Sequence, residues 1–306
     1  MSYLIEARNL SKSFGQKAVL QDLTFSLPAG EPIALIGPNG AGKTTLFSLL
    51  CGYLPASSGE LKVLGHKPGS SALFGRVSAL PQDAMLDPNF SLLTQLSFFG
   101  QLQGMSKSTA LAESRRVLSL VDLAANAEQK ATALSHGMRK RVAIAQALMG
   151  SPELVMLDEP TAGLDPVNAL QVRQLIANLS NEASFIISSH NIFELERLCG
   201  TVLYLEHGKL VQQSQVHSAA TQGYLTLTLE AGAQSDVLPI LRQLPGVISV
   251  SDSQKHEYVL QFDAELAPDF DLTLLMALRQ HGWRYRMLTK GQTLEQQLFA
   301  VTAKQA

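Results

Sequence analysis

The chain has 306 residues, 46% of them apolar and only 16% charged, which gives room for about two packed domains and excludes a disordered protein. A net charge of −2 argues against a dedicated DNA or RNA binder, and two cysteines, Cys51 and Cys199, in apolar helical contexts without metal-like spacing exclude a disulfide framework. No run reaches the roughly 18 consecutive apolar residues of a membrane span, and MSYLIEARNL lacks the regions of a signal peptide, so a cytoplasmic chain is expected.

The first informative element is Ile33-Ala34-Leu35-Ile36, an apolar run of strand length, followed by GPNGAGKTT and then by Leu46, Leu49 and Leu50 at helical spacing. Strand, glycine-rich loop and helix in that order make a phosphate-binding loop of Gly37, Pro38, Asn39, Gly40, Ala41, Gly42, Lys43, Thr44 and Thr45. Without a Cβ, Gly37, Gly40 and Gly42 let the backbone aim its N–H groups at phosphate oxygens. Lys43 supplies positive charge and Thr44 a hydroxyl for Mg²⁺. A plain glycine-rich turn is the competing account, so residues elsewhere must decide.

Next in the chain comes LPQD with Gln82, then an apolar cluster of Phe90, Leu92, Leu93, Leu96, Phe98, Phe99 and Leu102. LSHGMRKR at 134–141 opens a segment with Val142, Ala145, Leu148 and Met149 at helical period. Its basic run, Arg139 to Arg141, reads as a solvated helix face and carries no nucleic-acid role. LVMLDEP at 154–160 is a short strand ending in two carboxylates. Asp158 is placed to hold Mg²⁺ and its waters, and Glu159 to reach the attacking water. A solvated acidic pair at a strand end is the bland alternative. SFIISSH then reads as a strand closed by His190.

Taken together these motifs resemble the ABC transporter ATPases, in the family's order and over about the first 210 residues. Ser135, His136, Gly137 and Met138 match the family's Leu-Ser-Gly-Gly-Gln signature, with His136 replacing its first glycine and Met138 its glutamine. Gln82 matches the Gln loop, Gly163-Leu164-Asp165-Pro166 the segment that crosses the dimer interface, and His190 the switch histidine. Phe14, in SKSFG, stands where the family stacks an aromatic ring on adenine. The resemblance implies a P-loop ABC ATPase core, a mixed sheet with a helical subdomain at about 83–150, spanning residues 1–215. It also implies a head-to-tail homodimer with two ATP molecules, each held by one chain's phosphate loop and the other chain's Ser135 box. Lys43, Glu159 and His190 are then the catalytic residues, and Thr44, Gln82 and Asp158 hold Mg²⁺, partly through water. His136 is expected at the interface and dispensable.

With no membrane span in the sequence, transport requires a permease on a separate chain, and the ATPase would sit on the cytoplasmic face of the inner membrane. Part of the apolar cluster at 90–102 is expected to receive a short permease helix. A soluble ABC ATPase acting on nucleic acid or ribosomes is the competing class, but the tandem cassettes or long insertions of those members are missing here, so no nucleic-acid partner is expected. A nucleotide-binding module without catalysis is the third reading.

Beyond residue 215 the motifs stop. QQSQVHSAATQG reads as a linker. Residues 222–306 then alternate as strand, helix, strand, strand, helix, strand, with Leu225, Leu227 and Leu229 on one strand face, which predicts a small α+β, ferredoxin-like domain. Pro239 falls inside its first helix. His256 and Glu257 read as solvated, and the closing TLEQQLF resembles the tail of many exporter subunits. The domain is expected to stabilise the dimer or contact a partner.

Overall fold

The computed structural model describes residues 3–190, 195, 198–215, 222–230, 237–254 and 256–290. The chain divides into two compact units, Met1–Val216 and His217–Ala306. In chain order the first runs β1 (Tyr3–Phe14), β2 (Lys17–Pro28), β3 (Ile33–Ile36), α1 (Lys43–Leu50), β4 (Ser58–Val63), β5 (Val77–Leu80), α2 (Leu92–Leu102), α3 (Lys107–Leu120), α4 (His136–Ala147), β6 (Leu154–Asp158), α5 (Pro166–Leu179), β7 (Ser184–Ser189), β8 (Thr201–Glu206) and β9 (Lys209–Gln215).

Two sheets organise this unit. An antiparallel sheet has the order β2-β1-β4, and a mixed sheet has the order β5-β6-β7-β3-β8-β9, parallel except at its last pair. All four residues of β3 are buried, as befits a parallel strand covered on both faces. Alternate side chains of the mixed sheet, Leu35, Met156 and Ile186 among them, share one core with Leu10 and Leu23 of the antiparallel sheet and Leu46 of α1. Each such side chain removed from water contributes about 1.5–3 kcal/mol. That packing fixes the ends of β3, β6 and β7 relative to one another.

The helical segment is built by local rules. Helices α2, α3 and α4 each begin after a serine, Ser91, Ser106 and Ser135, whose hydroxyl accepts the N–H of the residue three further on. Each cap is worth about 1 kcal/mol. Gly100 permits close packing of α2, because a Cβ there would stand 3.0 Å from the Ala110 methyl and 3.0 Å from Met149 Cε. Among the described residues, no helix is long and apolar enough to cross a membrane.

The second unit runs β10 (Gln222–Leu229), α6 (Val237–Arg242), β11 (Val247–Gln254), β12 (Glu257–Asp263), α7 (Phe270–Gln280) and β13 (Tyr285–Lys290). Its antiparallel sheet has the order β11-β12-β10-β13, which is the split arrangement of a ferredoxin-like unit. Leu225, Leu227 and Leu229 are buried and share a core with Leu241, Phe270 and Leu274. Pro239 is tolerated because it is the third residue of α6, inside the first turn, where its missing N–H has no intrahelical acceptor to lose.

The linker expected at 212–223 is shorter than its composition suggested. Backbone pairing of Ser214 with Val202 and Gln215 with Thr201 carries β9 to Gln215, and β10 begins at Gln222. An edge strand needs only its main-chain bonds, so polar side chains do not end it. The tail TLEQQLF lies outside the described residues.

Candidate active site

The carboxyl ends of three neighbouring parallel strands converge. The register sets Asp158, the last residue of β6, opposite Ser188 of β7, and Ile36 of β3 opposite Ser189. The phosphate loop, the pair Asp158–Glu159 and the run Ser188–His190 therefore leave the sheet side by side, the usual place for a ligand in such a sheet. Gly42 precedes α1 at φ 107°, and a Cβ there would lie 2.6 Å from Leu20 Cδ2. At Gly37 a Cβ would come within 2.1 Å of the Leu205 carbonyl oxygen. The loop is thus held in a shape that only glycine permits at these two points, with the unpaired N–H groups of the α1 terminus available to an anion.

Charges meet at this junction under unusual burial. Lys43, Asp158 and Glu159 are only 7%, 9% and 7% exposed. Lys43 Nζ donates to the Gly37 carbonyl at 2.7 Å and stands 3.9 Å from Glu159 Oε1. Thr44 Oγ1 donates to Asp158 Oδ2 at 3.1 Å, while Ser188 Oγ donates to Asp158 Oδ1 and accepts the Glu159 N–H at 2.9 Å. His190 Nδ1 lies 2.9 Å from Glu159 Oε2. Every buried charge thus has a partner, without which the desolvation cost would be several kcal/mol.

Glu159 has φ 48°, a left-handed conformation that costs a residue with a Cβ about 1–3 kcal/mol. Regular strand alternation would send adjacent carboxylates to opposite faces. The kink breaks that alternation immediately after β6, and both carboxylates line one cleft. The strain is therefore what lets two neighbouring acids serve the same site.

That cleft, of about 490 Å³, is lined by Asn39 to Thr45, Gln82, Asp158 and Glu159, and also by Lys17 to Val19, His207 and Gly208. Sequence reasoning missed the last two groups and Ser188. A turn signal was present in His207-Gly208, where a Cβ on Gly208 would meet the Val19 carbonyl at 2.3 Å, and the serine pair before His190 was the only hint of Ser188. Pro38 is exposed and does not line the cleft, and its carbonyl accepts from Ala41 N at 3.1 Å. Phe14 does not line this cleft. Its ring is 48% exposed, its backbone pairs with Lys17, and Lys12 Nζ stands 5.0 Å from its centroid, with Lys12 anchored to the Pro55 carbonyl.

A second cleft of about 770 Å³ separates the Gln82 loop from α4, with His136, Arg139, Lys140 and Gly163 among its walls. Lys140 Nζ donates to the Gln82 carbonyl at 3.0 Å, and burial lowers its pKa against the pull of Asp83. Ser135 and His136 are exposed, Met138 is half-buried and Gly137 is buried. Asp165 caps α5, accepting from Val167 N and Asn168 N at 3.1 Å each. The Asn168 side-chain amide, which also donates to it, is the main cause of a carboxyl held below its usual range. Lys43, Thr44, Gln82, Asp158, Glu159 and His190 are thus brought together, while Ser135 to Met138 and Asp165 stand outside that first cleft.

The chain is also similar to known proteins. The family model described as ABC transporter matches residues 20–162. The Nod factor export ATP-binding protein I of Burkholderia lata is 37% identical over 217 residues, covering 70% of this chain and 71% of that protein. The chain belongs to the ABC transporter family. The linearmycin resistance ATP-binding protein LnrL of Bacillus subtilis is 30% identical over 270 residues, 86% of each chain. Among solved structures, cbiO1 from Clostridium perfringens, part of the ABC transporter complex cbiONQ, gives a TM-score of 0.66 at 26% identity, covering 71% of this chain and 90% of that one. This ABC protein is an ATP-binding subunit of the exporter type, and its chemistry is ATP hydrolysis coupled to transport.

Proposed function

We propose that two copies of this chain close head to tail around two ATP molecules, and that closure drives a separate membrane permease in the direction of export. The observation that carries this reading is the separation within one chain. Its nucleotide cleft contains Lys43, Thr44, Asp158 and Glu159 but not Ser135, whose exposed helix start lies elsewhere. A helix terminus with free N–H groups suits a γ-phosphate, and a second copy supplies one. The apolar side chains next to Asp165 fit a surface covered by that copy, since Val167 is 65% and Leu170 48% exposed.

Within each site, the phosphate loop from Gly37 to Thr45 binds the phosphates and Lys43 balances their charge. Glu159 accepts a proton from, or orients, the attacking water, and His190 holds the Glu159 carboxylate in place and touches the γ-phosphate. Phosphoryl transfer of this kind is mainly positioning and charge neutralisation. The Thr44 hydroxyl and the Asp158 carboxylate, 3.1 Å apart, are hard oxygen donors of the kind Mg²⁺ prefers, and Gln82 is near enough to line the same cleft. Bound there, Mg²⁺ would neutralise charge on the phosphates. Phe14 supplies an exposed aromatic face for adenine.

The permease would dock where the apolar cluster after Gln82 reaches the surface. Leu92, Leu93 and Leu96 are buried, whereas Phe90, Phe98 and Leu102 are 51%, 57% and 65% exposed. Docked in this way, the ATPase would sit on the cytoplasmic face of the inner membrane through its permease, whose pathway selects the cargo. The second unit, with no catalytic cluster among its described residues, fits a role in stabilising the dimer or contacting a partner.

Complementation tests the two-chain site. Lys43→Ala and Ser135→Arg chains should each be nearly inactive alone. Mixed, they should regain about a quarter of wild-type turnover, since half of the dimers are mixed and each of those has one intact site. No recovery on mixing would place the Ser135 box outside the site.

A further inference from the structure

Gly137 has no conformational reason to be glycine. It is the second residue of α4 and is not in the left-handed region, so alanine would fit its backbone. Space forbids it. A Cβ at Gly137 would stand 2.3 Å from Asn168 Oδ1, 2.8 Å from its Cγ and 3.3 Å from its Cβ. The amide cannot swing clear without loss, because Asn168 Nδ2 donates to Asp165 Oδ2 and the Asn168 N–H donates to Asp165 Oδ1 at 3.1 Å. Asp165 Oδ1 also accepts from Val167 N, so the amide is fastened to the same carboxylate that caps α5. A second, looser contact runs parallel, since a Cβ at Gly163 would meet His136 Cε1 at 3.4 Å.

We propose that Asn168 is a positioning residue that interlocks the Ser135 box with the Gly163–Asp165 segment of the same chain, so that the two move as one piece. The proposal rests on the head-to-tail reading above. In that arrangement the Ser135 box touches ATP bound by the partner and the Asp165 segment lies on the same interface. Seating the γ-phosphate against α4 then also sets the position of Asp165, which makes the partner's nucleotide felt at the α5 start without any contact between the two. Gly137 is required as the socket for the Asn168 amide, not only for close approach of phosphate.

The test uses four full-length chains: wild type, Gly137→Ala, Asn168→Ala and the double variant. Thermal unfolding without nucleotide reads the packing alone, and Gly137→Ala should lower Tm by about 5 °C, with at least half of that restored in the double variant, where the blocking atoms are gone. At saturating ATP, Asn168→Ala should lower kcat by about 3- to 10-fold while binding of a fluorescent ATP analogue stays within about twofold. Gly137→Ala should cost more than about 10-fold in kcat, and the double variant should return to within about threefold of Asn168→Ala. A double variant no better than Gly137→Ala in both assays would overturn the interlock, and wild-type kcat in Asn168→Ala would overturn its positioning role. Absence of ATP-dependent dimers in the wild type would sink the sandwich reading instead, while the Tm comparison would still decide the interlock.

Discussion

The phosphate-loop end and the signature end of the first unit are built on opposite plans. At the first, Lys43, Asp158 and Glu159 are buried and satisfied within the chain, held by Thr44, Ser188 and His190. At the second, Ser135, His136 and Asp165 are exposed, and the bonds around them cap helices and tie the Asn168 amide to Asp165. A site complete in itself has no need of an exposed helix start nearby. On the proposed reading, one end is the half that grips nucleotide and the other the half offered to a second copy.

The comparison breaks most visibly at Lys43. Lys43→Ala should lower ATP turnover by about 10²- to 10³-fold, since a buried, preorganised charge is lost where phosphate charge develops. A steady-state assay that finds turnover within tenfold of wild type would remove Lys43 from the mechanism. Ser188→Ala should cost about 10- to 10²-fold, because it frees Asp158 Oδ1 and leaves the Glu159 N–H unsatisfied at a cost of about 1–3 kcal/mol. Denaturant unfolding alongside turnover separates the two contributions.

The apolar cluster sharpens the same contrast on another surface. Phe98→Asp should abolish transport in permease-containing vesicles while basal turnover stays within about twofold. Leu96→Asp, fully buried, should instead fail to fold. If both variants unfolded, the segment would be core and no docking surface. At the signature end, His136→Gly should leave turnover within about threefold, since its ring is exposed and only lies beside Gly163; loss of activity would make the histidine essential.

The smallest expected effect is a titration. The Asp165 carboxyl sits below its ordinary range, so its contribution as a cap is present above the unfolded carboxylate's pKa and is lost as pH falls through the lower folded value. Asn168→Ala removes the largest cause, and the Asp165 pKa measured by NMR should rise, moving that loss to higher pH. An unchanged value would mean that the backbone donors set it alone.

Much of this contrast was legible in the residues. The strand-loop-helix order around Gly37, the acidic pair after β6 and the alternating leucines of β10 are local patterns, and local patterns survive in sequence. The kink at Glu159 was not legible, because strand periodicity assigns adjacent residues to opposite faces and only the φ of 48° reverses that. Lys17 to Val19 and Ser188 escaped because their place in the site comes from sheet order and register. The tight fit of Asn168 on Gly137 escaped for the same reason, since the two meet only through the packing of α4 on α5. Cys199 is buried and Cys51 half-buried, and desolvation pushes the Cys51 thiol up to about 12.

The central claim, that Glu159 drives hydrolysis inside an ATP-dependent sandwich of two chains, is tested most directly by one paired measurement. Purified wild type and Glu159→Gln are compared for ATP turnover and for sedimentation, with and without ATP and Mg²⁺. The account predicts that Glu159→Gln loses turnover by at least about 10²-fold yet sediments as a dimer only when ATP is present. A Glu159→Gln chain that stays monomeric with ATP, or that hydrolyses it at the wild-type rate, would contradict the account.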